Sequence, residues 1–273
     1  MIKGVFDALC YYKKMDYLYI FGRQIPVYGL MGLIGVSAGF FYIAFACKYR
    51  KKSIDDSIYI YVWACIFAML GAKILYLIIE SKNIVTLIAD NSDKIKDIVI
   101  AYLTGGFVFY GGLFGAIIGT VIASKYFGKD IKEQLNILIP VMPLVHGFGR
   151  IGCYIVGCCY GMEYDGICAV NYVSSSYAPN GVELFPVQLA EAVIDFVIFG
   201  VLLVLLFLHK LEDKYIYIYL VSYSVARFVL EFFRGDAYRG RLLCFSTSQW
   251  ISLCIVMVVI AAQIHRGLNC SRK

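Results

Sequence analysis

The sequence predicts an all-α integral membrane protein with about seven transmembrane helices, its N-terminus outside and its C-terminus cytoplasmic. Three observations predict it. Of 273 residues, 61% are hydrophobic, and the mean hydropathy is +0.75. Only 16% are charged, against ~25% in ordinary globular proteins. The apolar residues also gather into seven stretches of about the ~20 residues that a bilayer crossing needs. This composition excludes a soluble enzyme with a large core. The net charge of +6 comes without a Lys/Arg stripe beside an aromatic platform, which speaks against nucleic acid as a partner.

The seven stretches lie at about 26–46, 58–79, 106–124, 135–156, 187–208, 215–233 and 248–265. A further apolar segment at 97–105 is too short to cross alone and reads as re-entrant or interfacial, since non-helical backbone at that depth needs protein cover. Gly105, Gly106, Gly111, Gly112, Gly115 and Gly119 crowd the third stretch. Such small residues allow close helix packing, and in this number they also suggest a broken helix beside a ligand. Residues 1–273 read as one polytopic domain, with an outer-face arm at 1–25 and an outer-face loop at 162–185. Lys13, Lys14 and Asp16 interrupt any signal-peptide core.

Orientation follows the excess of Lys and Arg in cytoplasmic loops. Lys48, Arg50, Lys51 and Lys52 follow the first stretch, Lys125, Lys129 and Lys132 the third, and Lys210 and Lys214 the fifth. Arg266, Arg272 and Lys273 close the chain. All fall on one side, which puts the Gly161 end of the fourth stretch outside.

Three charged clusters interrupt the apolar pattern. The first is Arg150, in the Gly-rich run from Pro143 to Gly161. A guanidinium keeps its charge in proteins. Within or beside a bilayer it reads as a functional group with an anionic partner, and a phospholipid phosphate suits its bidentate fork. The second is Arg227, Glu231 and Arg234, whose i, i+4, i+7 spacing predicts one helical stripe in which Glu231 can hold either arginine. A snorkelling ion pair at the helix end is the plain alternative. The third is Pro186, Gln188 and Glu191, opening the fifth stretch. There an acid favoured by the helix dipole is as good a reading as a site role. His146 reads as a satisfied packing histidine, and Tyr28 and Tyr110 as members of an aromatic belt unless a site claims them.

Ten cysteines are present. Cys47, Cys65 and Cys254 read as small buried hydrophobes. Cys153, Cys158 and Cys159 have the spacing C-x4-C-C, which is no standard zinc pattern, and no His follows at ligand spacing. No metal and no cofactor are expected. A disulfide to Cys168 or Cys244 stays open if these residues face an oxidising compartment.

Together these pieces resemble the prolipoprotein diacylglyceryl transferase family over nearly the whole chain. Its Gly-Arg-Ile-Gly signature is similar to Gly149 through Gly152, and its closing glycine to Gly161. Its Arg-Phe-x-x-Glu-Phe-Phe-Arg is similar to Arg227 through Arg234, and its Tyr-Gly to Tyr28 and Gly29. Gly111, Gly112 and Gly115 resemble its Gly-Gly-x-x-Gly. Pro186 through Glu191 resembles Pro-x-Gln-Leu-x-Glu, and Ser246, Gln249, Ser252 and Leu253 resemble Ser-x-x-Gln-x-x-Ser-Leu. Departures stand beside these matches. Tyr110 replaces a frequent His, Cys153 a frequent Asn, Phe185 a frequent His and Ala190 a frequent Tyr.

The resemblance implies a multi-pass enzyme of the bacterial plasma membrane. Phosphatidylglycerol would be the donor, the lipobox cysteine of a lipoprotein precursor's signal peptide the acceptor, and membrane lipids the surroundings. It implies catalytic roles for Arg150, Arg227, Glu231 and Tyr110. It implies substrate contacts by Arg150, Tyr28, Gly149, Gly161, Gly111, Gly112, Gln188, Glu191, Arg234 and Gln249. The departures leave the proton-transfer residue and the acceptor open. Three rivals remain: a related lipid transferase with another acceptor, a transporter with a charged midplane site, and a thiol-redox protein built on Cys158 and Cys159. The transporter lacks an internal repeat, and the redox reading lacks a C-x-x-C motif.

Overall fold

The computed structural model describes residues 11–12, 17–20, 23–236, 241–242 and 244–270. Lys13, Lys14, Asp16, Arg272 and Lys273, which entered the targeting and orientation readings, lie outside the described residues. Helices dominate: α1 (Val27–Arg50), α2 (Ile54–Asp90), α3 (Ile95–Thr104), α4 (Phe109–Tyr126), α5 (Ile131–Leu138), α6 (Val141–Val156), α7 (Val187–Phe207), α8 (Tyr215–Leu230) and α9 (Thr247–Cys270). Among the described residues, six helical segments are long and apolar enough to cross a membrane, or seven if the bent pair α3–α4 counts as one span. The chain is therefore all-α and multi-pass. It divides into two compact units, Tyr42–Leu138 and the pair Met1–Phe41 with Ile139–Lys273.

In the Tyr42–Leu138 unit, α2 is longer than its apolar stretch predicted. Ser53 caps it by accepting from the Asp56 amide at 3.4 Å, with Asp55 and Asp56 in the first turn. Its 37 residues span about 55 Å at ~1.5 Å per residue, well beyond the ~30 Å hydrocarbon core. The apolar pattern ends near Glu80, but the helix does not. Glu80, Lys82 and Asn83 are ordinary helix residues in water, and the Asn83 amide donates to Glu80 at 2.8 Å.

The glycines of the third stretch do two jobs. Gly105 and Gly106 lie between α3 and α4, which bend by 66°. Gly106 has φ +66, and a Cβ there would strike the Tyr76 ring. The Lys73 ammonium closes this break by donating to the carbonyls of Tyr102, Gly105 and Gly106 and sitting 4.4 Å from the Phe107 ring centroid. Gly111, Gly115 and Gly119 instead bring α4 against α2. A Cβ on Gly111 would meet the Gly71 carbonyl, and one on Gly115 the Phe67 carbonyl. The broken helix expected from the glycine count is present, and most of the remaining glycines are used in helix contact.

In the other unit, α6 packs on α7, α7 on α8, and α8 on α9. Residues 162–185 form a small folded cap. Strand Val170–Tyr172 pairs parallel with Tyr11–Tyr12 and antiparallel with Glu183–Leu184. Val170, Tyr172, Ala178 and Leu184 are its buried core. The Tyr172 hydroxyl donates to the Tyr154 carbonyl at 3.0 Å, which ties the cap to the end of α6.

Candidate active site

Helical spacing builds this site. His146 and Arg150 stand one turn apart on α6, Glu191 and Asp195 one turn apart on α7, and Tyr223 and Arg227 one turn apart on α8, followed by Glu231. Each set shares a face of its helix, and the three faces converge. Nη2 of Arg150 lies 3.0 Å from Oε1 of Glu191, with the two side chains 11% and 2% exposed. The Tyr223 hydroxyl donates to the same oxygen at 3.2 Å. The second oxygen, Oε2, stands 3.6 Å from Nη1 of Arg227, and Nη2 of Arg227 lies 2.7 Å from Oε2 of Glu231. The chain of charges therefore runs Arg150–Glu191–Arg227–Glu231 across three helices.

A second layer holds Arg150 from below. Its Nε–H donates to Nε2 of His146 at 3.2 Å, and Nδ1 of His146 lies 2.8 Å from Oδ2 of the fully buried Asp195. An imidazole that accepts at Nε2 carries its proton on Nδ1 and offers it to the carboxylate. His146 thus contacts an acid and the signature arginine and also packs edge-on against Tyr223 at 5.2 Å.

One sequence expectation is corrected. Arg227, Glu231 and Arg234 do not share a single helical stripe, because α8 ends at Leu230. Glu231–Phe233 form one 3-10 turn, and Arg234 is extended at φ −85, ψ 142. Glu231 therefore holds Arg227 alone. Arg234 forms a two-pronged pair with Asp236, at 2.8 and 2.7 Å. The turn redirects the chain so that Phe233–Gly235 bond to Tyr160–Met162: the Met162 amide donates to the Phe233 carbonyl at 2.8 Å, and the Gly235 amide to the Tyr160 carbonyl at 3.1 Å. Gly161 is needed here because a Cβ would run into the Phe185 carbonyl.

The other expected residues divide by role. Gln188 is buried and donates to the Cys158 carbonyl at 2.9 Å, pinning the turn after α6. Gln249 caps α9: Ser246 N–H donates to its Oε1 at 2.9 Å, and its own N–H donates to the Ser246 hydroxyl at 3.2 Å. Tyr28 is about half exposed and leans on Gly152. Gly149 has open space where a Cβ would stand. Tyr110, Gly111 and Gly112 belong to the Tyr42–Leu138 unit, apart from the cluster's own unit. Tyr110 is half-buried and stacks edge-on with Phe109.

The cysteines depart in part from expectation. Cys47 is buried, but Cys65 is only half-buried and Cys254 is exposed on α9. Cys168 and Cys244 form no disulfide with each other or with the cysteines of the Arg150 segment. Cys153, Cys158 and Cys159 bring their sulfurs within 4.8 Å of one another. Hydrogen bonds with Cys153 and Cys158, then the charges of Arg150 and Arg234, hold the Cys159 thiol below its ordinary range. The hydrogen bonds with its two neighbours push Cys158 up.

Sequence reasoning missed Asp195, Asp236 and Lys73. Two of them carried a readable signal. Asp195 and Lys73 are ionisable residues inside apolar helices, where the default expectation is function or a buried partner.

Residues 17–265 match the family model described as prolipoprotein diacylglyceryl transferase. The phosphatidylglycerol–prolipoprotein diacylglyceryl transferase of Clostridium tetani (strain Massachusetts / E88) is 33% identical over 241 residues, which is 88% of this chain and 93% of the relative. A second relative, phosphatidylglycerol–prolipoprotein diacylglyceryl transferase 2 of Clostridium perfringens (strain 13 / Type A), is 34% identical over 87% of this chain and 90% of its own. The transferase of the same name in Finegoldia magna (strain ATCC 29328 / DSM 20472 / WAL 2508) is 29% identical over 90% of this chain and 92% of its own.

Proposed function

The chain belongs to the prolipoprotein diacylglyceryl transferase family, and from that premise we propose that its buried chain of arginines and carboxylates binds the donor phosphate. The enzyme is a multi-pass protein of the bacterial inner membrane. It transfers diacylglycerol from phosphatidylglycerol to the lipobox cysteine thiol of lipoprotein precursors. In that reaction the sulfur attacks the glycerol carbon that bears the phosphate ester. An S–C bond forms, the C–O bond breaks, and its electron pair leaves with glycerol phosphate. The thiol proton passes to a base.

Physics asks the protein to hold a phosphate and to stabilise the leaving anion. Arg150 and Arg227 suit both tasks, and Glu191 sets the separation between them. The observation that carries this reading is a pair of buried donors. Nη1 of Arg227 and Nη1 of Arg234 are closed to solvent and make no hydrogen bond among the described residues, Nη1 of Arg227 having only the longer 3.6 Å ion pair with Glu191. Buried guanidinium N–H groups of this kind are what an anion's oxygens satisfy.

The remaining residues take supporting roles. Glu231 orients Arg227. The open flank of Gly149 admits the headgroup beside Arg150, and Tyr28 stands at the rim. Gln188 and Gly161 shape the turn beyond α6. Gln249 holds the start of α9, whose Ser248 hydroxyl reaches Arg227 at 3.5 Å. No cofactor is required. The chain is read as one integral domain with its N-terminus, the arm 1–25 and the cap 162–185 on the outer face, and its C-terminus in the cytoplasm. The acceptor is the lipobox segment presented at that outer face.

The experiment is complementation of a cell depleted of its own transferase, read by lipoprotein maturation. Wild type restores maturation, and Arg150→Ala does not while still reaching the membrane. Maturation by Arg150→Ala at the wild-type rate would remove Arg150 from the donor site.

A further inference from the structure

The direct transfer proposed above assigns no role to the three thiols at the end of α6, because the acceptor supplies its own sulfur. Their arrangement is nonetheless specific. Gly157 ends α6 in the left-handed conformation, at φ +79, and the chain folds back so that the amides of Gly157 and Cys158 both donate to the Cys153 carbonyl, at 2.9 and 3.1 Å. Cys159 follows at φ 57, a left-handed conformation that is costly for a residue with a Cβ. The result brings Cys153, Cys158 and Cys159 together with all three sulfurs within 4.8 Å of one another. Gln188 clamps the turn from α7, and the Tyr160–Met162 pairing with Phe233–Gly235 fixes its far side.

Three sulfurs around one metal at ~2.3 Å would stand roughly 4 Å apart, so the observed spacing needs little closure. Among the described residues no His, Asp or Glu joins the group. A set of three sulfurs without a nitrogen or carboxylate selects soft ions.

We propose that Cys153, Cys158 and Cys159 form a binding site for a thiophilic d10 metal ion, with the three thiols giving up their protons to solvent on binding. Cu(I) is complete with three thiolates. Zn(II) would add a water as its fourth ligand, so it binds this set less tightly than Cu(I).

The test uses the purified full-length protein in detergent, reduced and metal-free, with Cu(I) and Zn(II) as separate probes. Metal content is measured by mass spectrometry and affinity by competition with a chromophoric chelator. Wild type takes up one Cu(I) per chain, and Zn(II), if loaded first, is displaced by Cu(I). Loss of a ligand should weaken binding at least as much as loss of an outer partner, which costs about 10–100-fold. Cys153→Ser, Cys158→Ser and Cys159→Ser therefore each lose tenfold or more, while Cys254→Ser, outside the cluster, loses nothing. A second measurement needs no variant: Cu(I) loading protects these three thiols from alkylation, read by peptide mass spectrometry. The proposal is overturned by absence of stoichiometric uptake of either ion, by uptake undiminished in the Ser variants, by failure of loading to protect the three thiols, or by a native disulfide within the triad.

Discussion

One carboxylate oxygen of Glu191 lies 3.0 Å from Nη2 of Arg150, and neither side chain has more than a tenth or so of its surface in solvent. Its second oxygen faces Arg227. A single buried acid thus links the signature arginine of α6 to the arginine of α8. Removing one member of a buried pair leaves an uncompensated charge and costs about 3–5 kcal/mol. Glu191→Ala is expected to lower thermal stability markedly and to abolish transfer. Glu191→Gln keeps a hydrogen-bond acceptor and should fold better than the Ala variant. A thermal melt of both purified variants checks the order.

Glu231 is expected to orient Arg227 rather than accept the thiol proton, because its carboxylate sits 2.7 Å from that guanidinium. Glu231→Gln should keep part of the activity through a neutral hydrogen bond, and Glu231→Ala should lose more. A base role is the better reading if Gln is as inactive as Ala and high pH restores both.

Asp195 and His146 hold Arg150 without reaching the donor themselves. Asp195→Leu should let the imidazole turn and Arg150 shift. A displacement of ~1 Å at a reacting site can cost ~10²-fold in rate. The loss is expected mainly in KM for phosphatidylglycerol, and Asp195→Asn should recover part of it by accepting from the same ring N–H. Steady-state kinetics on the three proteins separates this positioning role from simple unfolding, which would lower active enzyme without moving KM.

Much of this fold was legible in the sequence. Apolar runs of ~20 residues have few alternatives in a chain so poor in charge, and six long apolar helices stand where such runs occur. The end of α2 was not legible, because polar helix formers beyond Glu80 give no stop signal. The stripe from Arg227 to Arg234 failed for a related reason. Helical spacing assumes that the helix continues, and no Gly or Pro marks its end at Leu230. Glu191 was visible as an acid at a helix start, but only the packing of α6, α7 and α8 turns it into a bridge. The thiol cluster was invisible to spacing rules, since a left-handed turn at Gly157 creates it rather than a repeat.

The glycines of α4 make a stability prediction. Gly115 lies so close to the Phe67 carbonyl of α2 that a methyl group cannot be added without separating the helices. Overpacking of this kind costs about 1–3 kcal/mol. Gly115→Ala should lower the melting temperature in detergent, whereas Gly128→Ala, where nothing stands within 4 Å of the added carbon but φ is +64, should show only the smaller cost of a left-handed alanine.

The cysteines should be dispensable for turnover. Cys158→Ser and Cys159→Ser are expected to keep most of the transfer activity, Cys153→Asn to be tolerated, and Cys153→Ala to be mild. Mass spectrometry of the enzyme during turnover should find no lipid adduct on any of the three. An adduct, or loss of turnover in a single Ser variant, would replace direct transfer with a thiol-dependent route.

Recognition of the donor phosphate by Arg150 and Arg227 is tested most directly by transfer of labelled diacylglycerol from phosphatidylglycerol to a lipobox peptide, using purified Arg150→Lys and Arg227→Lys. Lysine keeps the charge and loses the planar fork. Both variants should be expressed and folded, and each should lose most of its transfer activity. Full activity in both would contradict bidentate phosphate recognition by this pair.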